Sequence, residues 1–571
     1  MFKKMLKSLG AAGLAATVAA SAVGAAADYV RPNASYESAQ VPSYLNPVPE
    51  AKPLWSVTLG RPGEAYEYHG NRLAVGGGKA YYLKDGKLVA ANARTGAVAW
   101  TFGQRLTQPI DYRDGSLFVF DDNGKLHRVD GDTGKAKWTF DLTPYEGEYG
   151  LALNAASMAH DDAAIYISIL GTLLALDREN GKLIWNSDRL QYGGFPLLHG
   201  ELLLVSTTES GAITTSVTYA FEKRTGKTVW RSGSNASPLL VKDGLLYAQD
   251  TWPAYDGATH QFRLAVVDIA TGEAAGGHSY IRVPEGVDPR TAQAYVSATD
   301  GEWLYVQGSD GAVYRFDYTR PGDEQQPRIY YGDGTWVAGP YHNKLFFEGD
   351  RGQGMYAVKL LDGNRFVYEG INNLVSRLDF HGNGMFAGQT DGVIYALDVT
   401  TGKAYFRYDT GARNFDPFLV EDGVLFAQAE ETLYAFRLPQ PLLNPLPAEP
   451  LPGLNYQATD ATLSIDGERQ TFKPSPVIIE SRMYVPLRAL FEAVGAKVNY
   501  DEATGNVHVS YRDRAFVAPR GEKIGNVVYV PIRDVGALLG VGIAWDDATR
   551  TVVIETAESA NFDAQTAERG A

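Results

Sequence analysis

Cysteine is missing from all 571 residues. That absence excludes disulfides, thiolate metal sites, thioether-linked haem, a cysteine nucleophile and a lipid anchor on an N-terminal cysteine. Positive charge is in short supply: 52 Lys and Arg face 67 Asp and Glu, for a formal net charge of −15. Without a basic stripe, nucleic acid and anionic membrane surfaces are poor partners, and the acidic excess serves solubility. Beyond the first thirty residues no apolar run approaches 18 residues, so no later segment is expected to span a membrane. Helical periodicity of useful length is lacking through the first three quarters of the chain. The nine histidines, His69, His127, His160, His199, His260, His278, His342, His381 and His508, show no metal-ligand spacing, although they could converge in space.

What is present favours strands and turns. Aromatics make up 12% of the chain, with 61 Gly and 34 Tyr. The N-terminus reads as a secretory leader. Lys3, Lys4 and Lys7 precede a small apolar stretch, and Ala25-Ala26-Ala27 fits a cleavage site before Asp28. Its removal takes the charge from −15 to −18. Residues 28–53 contain Pro32, Pro42, Pro47, Pro49 and Pro53 and are expected to form an irregular lead-in. Asn33-Ala34-Ser35 matches a glycosylation acceptor, taken as fortuitous.

A repeat then dominates. Its marker is a hairpin glycine at Gly96, Gly134, Gly181, Gly226, Gly272, Gly363 and Gly402, with a degenerate copy near Gly322 and steps of 38 to 50 residues. Four residues later stand Trp100, Trp138, Trp185, Trp230 and Phe406. A short strand precedes each glycine and a second strand precedes that one. Four short strands per 40 to 50 residues predict a β-propeller blade. Nine such strand pairs occur, although eight is the commoner closure. The ninth, around Leu433, lacks its last strand, and Leu54-Trp55-Ser56-Val57-Thr58 can supply it from the other end of the chain. The fold class is therefore mainly β: a closed propeller of eight or nine four-stranded blades over 54–438.

Pro439, Pro441, Pro445, Pro447, Pro450 and Pro452 mark 439–454 as an extended linker. Residues 455–557 form a second, smaller α+β domain with an internal duplication. Tyr484-Val485-Pro486-Leu487-Arg488 returns 45 residues later as Tyr529-Val530-Pro531-Ile532-Arg533, and Tyr500-Asp501 returns as Trp545-Asp546. Each half reads strand, proline-led helix, hairpin. Residues 558–571 are expected to be a disordered tail.

The repeats Leu173 to Trp185 and Ile394 to Phe406 resemble the pyrroloquinoline-quinone-type propeller repeats. These occur in quinoprotein dehydrogenases and in non-enzymatic propellers such as the outer-membrane assembly lipoprotein. The resemblance covers about Trp55 to Leu438 and implies the fold more than the chemistry. Residues 455–556 resemble the copper amine oxidase N-terminal domain, an accessory unit at the ends of many secreted Gram-positive proteins that does not hold the copper.

The alcohol-oxidising quinoproteins use an adjacent cysteine pair, which this chain lacks, together with an Asp base and calcium. Asp111, Asp121, Asp122, Asp130 and Asp132 lie in turn contexts and read as turn residues before calcium ligands. Asn499-Tyr500-Asp501 resembles part of a quinone-forming motif, but the duplicate places Trp545 there, so Tyr500 reads as structural. Gly349 to Gly354 lacks the Lys-Ser/Thr of a phosphate loop. No catalytic, cofactor-binding or metal residue is assigned, and no cofactor is expected. The alternative is pyrroloquinoline quinone with calcium, in a dehydrogenase of a type without the cysteine pair. The expected function is binding or scaffolding by a secreted or envelope protein, a monomer whose partner is a protein or a cell-wall polymer. A further alternative is wall attachment by the C-terminal domain. The long inserts 209–215, 251–261 and 281–292 are the candidate contact loops, with Trp252, Tyr255 and His260 the most ligand-like residues.

Overall fold

Short apolar runs separated by glycine turns fold here into antiparallel four-stranded meanders. The structure, a computed structural model, describes residues 29–31, 48–59, 72–146 and, with short intervals left out, 151–444 and 456–555. The chain divides into two units, Met1–Leu446 and Pro447–Ala571.

Among the described residues the first unit contains nine meanders. Blades 1 to 8 lie within 73–102, 106–141, 157–187, 195–231, 236–282, 297–330, 334–367 and 375–409. Blade 9 takes three strands from 419–437 and its outer strand, Trp55–Thr58, from the N-terminal side. Burial orients each blade. Second and third strands such as Ser116–Asp121 and Val393–Asp398 are wholly buried, while fourth strands such as Val98–Phe102 and Arg365–Val367 are largely exposed. The fourth strand is therefore the rim and the first strand faces the axis. A separate apolar cluster fills the junction between every consecutive pair of blades, including blade 9 against blade 1 through Phe426, Leu433, Leu73 and Tyr82. The ring is closed at nine.

One device recurs around it. The seven regular hairpin glycines all adopt φ between 68° and 74°, the left-handed region where a side chain is strained. Each of the first five also has a tryptophan of the preceding blade on it. A Cβ at Gly134, Gly181, Gly226 or Gly272 would lie within 2.5 Å of Trp100, Trp138, Trp185 or Trp230, and one at Gly96 would lie 2.7 Å from Trp55. The indole Nε1 then donates to a carbonyl of the next blade: Trp55 to Ala93, Trp100 to Gly131, Trp138 to Arg178, Trp185 to Lys223 and Trp230 to Ile269, at 2.7 to 3.2 Å. Tyrosines continue the series. Tyr280, Tyr330 and Tyr368 donate to Tyr318, Leu360 and Val399, which occupy the same place in their hairpins. At the eighth junction Phe406 packs on Phe436 instead.

At four of the seven hairpins the residue four before the glycine is an aspartate that caps the turn. The Oδ1 of Asp130 accepts from the N–H groups of Asp132 and Thr133, and Asp177, Asp268 and Asp398 do the same in their hairpins. The Thr133 backbone and hydroxyl bonds, with Lys137 behind them, hold the Asp130 carboxyl at about 2. A depressed carboxylate adds stability above its unfolded pKa of about 4, and that stability is lost as pH falls towards the folded value. Asp130→Asn should therefore flatten the decline of the melting temperature between about pH 5 and pH 2. An unchanged acid limb would remove this carboxylate from the account.

Three expectations are corrected. The lead-in is not wholly irregular: Tyr29–Val30 is a strand on the inner edge of blade 8, and Pro49 and Ala51 bond to Arg407 at its outer edge. Val48 is buried in the core between blades 7 and 8. The linker does not begin extended, because Gln440–Leu443 is a helical turn that buries Leu442 between blades 8 and 9. In both places scattered apolar side chains find a core that the local proline content hides. Asp111 lies on the inner strand Leu106–Arg113 rather than in a turn, with its Oδ2 2.6 Å from His160 Nε2. The leader, Asn33, most of the linker and the tail fall outside the described residues.

In the second unit the duplicated strands pair with each other. Val485 faces Val530, with Tyr484 opposite Pro531 and Pro486 opposite Tyr529. Equivalent residues meeting antiparallel define a local two-fold. Leu487 and Leu490 of the helix Leu487–Ala493 and their counterparts Ile532 and Val535 fill one core around that axis, together with Phe491 and Leu539. Tyr500 lies on the strand Lys497–Asp501, paired with Asn506–Tyr511, as its repeat register requires.

Candidate functional site

Meander topology sorts the loops. Turns between second and third strands, and connections from one blade's rim to the next blade's inner strand, all emerge at one end of the ring. The three inserts singled out from the sequence belong to these classes, on the neighbouring blades 4 and 5. In blade 4 the second and third strands, Leu202–Ser210 and Thr214–Glu222, run to nine residues each, against six in blade 1. Their extension is braced by Glu209, which accepts from Tyr219 Oη at 2.5 Å and pairs with Arg231; the Arg231 bond holds the Glu209 carboxyl below its usual range. In blade 5 the third and fourth strands, His260–Asp268 and Ala274–Arg282, also reach nine residues. The connection that follows folds back on them. Ala294 N–H donates to Gln261, and the buried Gln261 side chain donates to Arg282 and accepts from Ser309 N–H.

Of the three ligand-like residues, Trp252 and Tyr255 lie outside the described residues. His260 is described, and it is engaged. Its Nε2 lies 3.1 Å from Asp323 Oδ1 of blade 6, its Nδ1 is 2.9 Å from Thr259 Oγ1, and Arg282 pairs with the same Asp323. These bonds hold the Asp323 carboxyl below its ordinary value, the His260 bond first. His260 thus fastens blade 5 to blade 6 at the root of its insert.

No spacing or motif signals a second region, the axis end of blades 7 to 9. Buried polar side chains concentrate there: Glu348, Asn373, Ser376, Arg377, Asp379, Gln389, Thr390, Asp416 and Gln428. The Oε1 of Glu348 accepts from Val375 N–H at 3.0 Å, and its Oε2 pairs with Arg31. Asp379 binds Arg377 and accepts from Phe418 N–H of blade 9 at 2.9 Å. Asp416 pairs with Arg72 at 3.1 Å, ahead of blade 1. Each carboxylate ties the start of one inner strand to the next blade. Only their partners, more than 300 residues away for Arg31 and Arg72, reveal this.

A quinone with calcium needs free carboxylate oxygens beside the axis. The oxygens of Glu348 and Asp379 are already bonded to guanidinium groups and backbone N–H groups, and the lead strand lies on blade 8. These residues do not fit that pair, and no oxidation step is derived through it. Among the described residues no group of three or more His, Asp or Glu side chains is arranged to hold a metal ion. Asp121 accepts from Asn123 and Lys125 N–H groups, as a turn residue does, and places its other oxygen 3.2 Å from His127. No helix among the described residues is long and apolar enough to cross a membrane.

Comparison with known proteins follows the same division. Residues 48–189 and 171–320 match the family described as outer membrane protein assembly factor BamB, and residues 464–524 match the copper amine oxidase N-terminal domain. The quinohemoprotein alcohol dehydrogenase of Comamonas testosteroni is 22% identical over 390 residues, covering 61% of this chain and 52% of its own length. The outer membrane protein assembly factor BamB of Moranella endobia is 23% identical over 286 residues, 43% of this chain and 69% of its own. The chain thus spans about half the length of the first of these relatives. Among solved structures, BamB from Moraxella catarrhalis is 16% identical with a TM-score of 0.36, over 68% of this chain and 100% of that one.

Proposed function

For a chain whose residues 48–320 match the propeller repeat family and whose residues 464–524 match the copper amine oxidase N-terminal domain, we propose non-catalytic binding and scaffolding at the cell envelope. The observation that carries this reading is the outgrowth of blades 4 and 5 at one end of an otherwise regular ring. Loops held on a rigid scaffold are where binding surfaces are built. Trp252 and Tyr255, with His260 at the root of the insert, are the proposed contacts. A flat aromatic offers a large contact area with a polar edge, which suits a protein or a carbohydrate polymer. Export by the leader at 1–27 is part of the proposal, as is a monomeric ring without a cofactor.

The test is capture on isolated envelopes. Replacing 251–257 with a short Gly-Ser turn should reduce capture at least tenfold while the melting temperature stays within about 2 °C, since the strands on either side, Leu245–Asp250 and His260–Asp268, are left intact. Equal capture by both proteins would end this reading. A second variant ending at Leu446 separates the alternative. If binding is lost with residues 447–571, attachment runs through the C-terminal domain. The dehydrogenase alternative rests on the Comamonas relative. Its assay adds pyrroloquinoline quinone and calcium with alcohols or aldoses and a dye acceptor, and cofactor-dependent turnover would overturn the non-catalytic reading.

A further inference from the structure

We infer that the inner edge of blade 8 is a binding site for an extended peptide, and that the chain's own lead strand is its resident occupant. The site is built from three parts. The first is a sheet edge at the axis that takes an added strand. Strand Val375–His381 is the inner strand of blade 8, and Tyr29 and Val30 pair antiparallel with Leu378 and Arg377. Arg31 N–H continues the ladder to Ser376 O at 2.9 Å. Adding a strand to an edge in this way is a general mode of peptide recognition, with affinity from the main chain and selectivity from alternate side chains.

The second part is an acidic socket. Arg31 places its guanidinium on the Glu348 carboxylate and donates from Nε to Val375 O at 3.1 Å. Both side chains are largely buried, 13% and 9% exposed. Glu348 is held by Val375 N–H, a bond internal to the ring. The socket is therefore set by blades 7 and 8 and not by its occupant. The third part is apolar. Tyr29, two residues before Arg31 and so on the same side of the strand, packs on the core between blades 7 and 8. Val30, between them, is 43% exposed. The pattern selected is aromatic, any residue, arginine.

The resident strand is short. Tyr29 and Val30 pair with the inner strand, and Arg31 adds a backbone bond to Ser376, a side-chain bond to Val375 O and the ion pair with Glu348; a longer segment with the same pattern would add ladder bonds beyond these and can displace it. The partner inferred is another protein that presents an extended aromatic-x-Arg segment. This deepens the scaffold reading and rests on it, but it uses the axis rather than the inserts. Loss of envelope capture in the 251–257 variant and failure of the assay below are therefore separate results.

The test uses the full chain and a fluorescent peptide, Asp-Tyr-Val-Arg-Pro-Asn, copied from residues 28–33, with an Arg-to-Glu peptide as control. Three proteins are compared: wild type, Arg31→Glu, and Arg31→Glu combined with Glu348→Arg. In Arg31→Glu the lead strand is repelled from the socket, and the peptide should bind at least tenfold more tightly than to wild type. In the exchanged pair the internal contact is restored with reversed charge, and peptide binding should return to the wild-type level or below. The Glu peptide should not bind Arg31→Glu. Arg31→Ala, which carries no repulsion, should show the same rise to a smaller extent and covers the case in which Arg31→Glu fails to fold. No rise in either single variant would overturn the inference, as would equal binding of the two peptides. A dimer of Arg31→Glu by light scattering, without peptide uptake, would overturn it in favour of exchange between copies.

Discussion

Gly181→Ala should cost the ring about 3 kcal/mol, while Gly115→Ala should cost about 1. The two glycines have nearly the same backbone, with φ of 69° and 73°. An alanine in that region carries about 1–2 kcal/mol of strain at either site. They differ in what the new methyl group meets. At Gly115 no atom lies within 4 Å, whereas at Gly181 the ring of Trp138 is 2.5 Å away. Forcing that ring off its seat adds about 1–3 kcal/mol of overpacking. Trp138 is buried and its Nε1 bonds to Arg178, so Trp138→Ala should by itself cost about 3–5 kcal/mol. The double variant should lose less than the sum, because once the indole is gone the Gly181 methyl has room. Denaturant midpoints measure all four proteins. Equal losses at Gly115 and Gly181, or strict additivity with Trp138→Ala, would show that the indole does not dock on the glycine.

Removing the closing strand should have the larger effect. Deletion through residue 58 takes away Trp55 and Val57, which pack in the cluster between blades 9 and 1, and four residue pairs on Thr432–Arg437. A lost tryptophan contact is worth about 3–5 kcal/mol, and each lost ladder bond about 1. The total rivals the whole stability of a domain, about 5–15 kcal/mol. The bared edge is also a template for another chain. The truncated protein should therefore melt far below the full chain, or elute as associated species. A peptide spanning 52–60, added in trans, should recover part of the loss. Deletion through residue 31 removes only the lead strand and should leave the ring closed and unassociated. If both truncations melt alike, the closing strand is not what seals the ring.

These two predictions come from the most legible part of the chain. The glycine, the aspartate before it and the tryptophan after it lie within a few residues, so their spacing records one hairpin and can be read directly. Closure was legible too, because Leu54 to Thr58 is an orphan strand at one end and blade 9 lacks a strand at the other. The duplication in the second unit was legible for the same reason: both copies obey one local pattern.

The tyrosine anchors were not. Tyr280 follows its glycine by eight residues rather than four, in a strand whose pairing shifts at Val266 and Val267. Tyr330 follows a loop with a short 3-10 turn, Gly322–Glu324, in place of the tight hairpin. Both break the spacing while preserving the bond. His260 was legible as unusual, but its tie to Asp323 depends on a loop of the next blade. Leu442 and Val48 were masked by the prolines around them.

The sequence by itself determined the hairpin, the four-stranded unit, the rough number of repeats and the circular order, because each is written in contacts between near neighbours. Tertiary structure alone decided that the ring closes at nine, that tyrosines replace tryptophan at three junctions, and that the lead strand lies at the axis with Arg31 on Glu348. Those facts depend on how blade twist and junction packing add up around a full circle. Arg31 and Glu348, like Arg72 and Asp416, are more than 300 positions apart, a separation at which no local periodicity carries information.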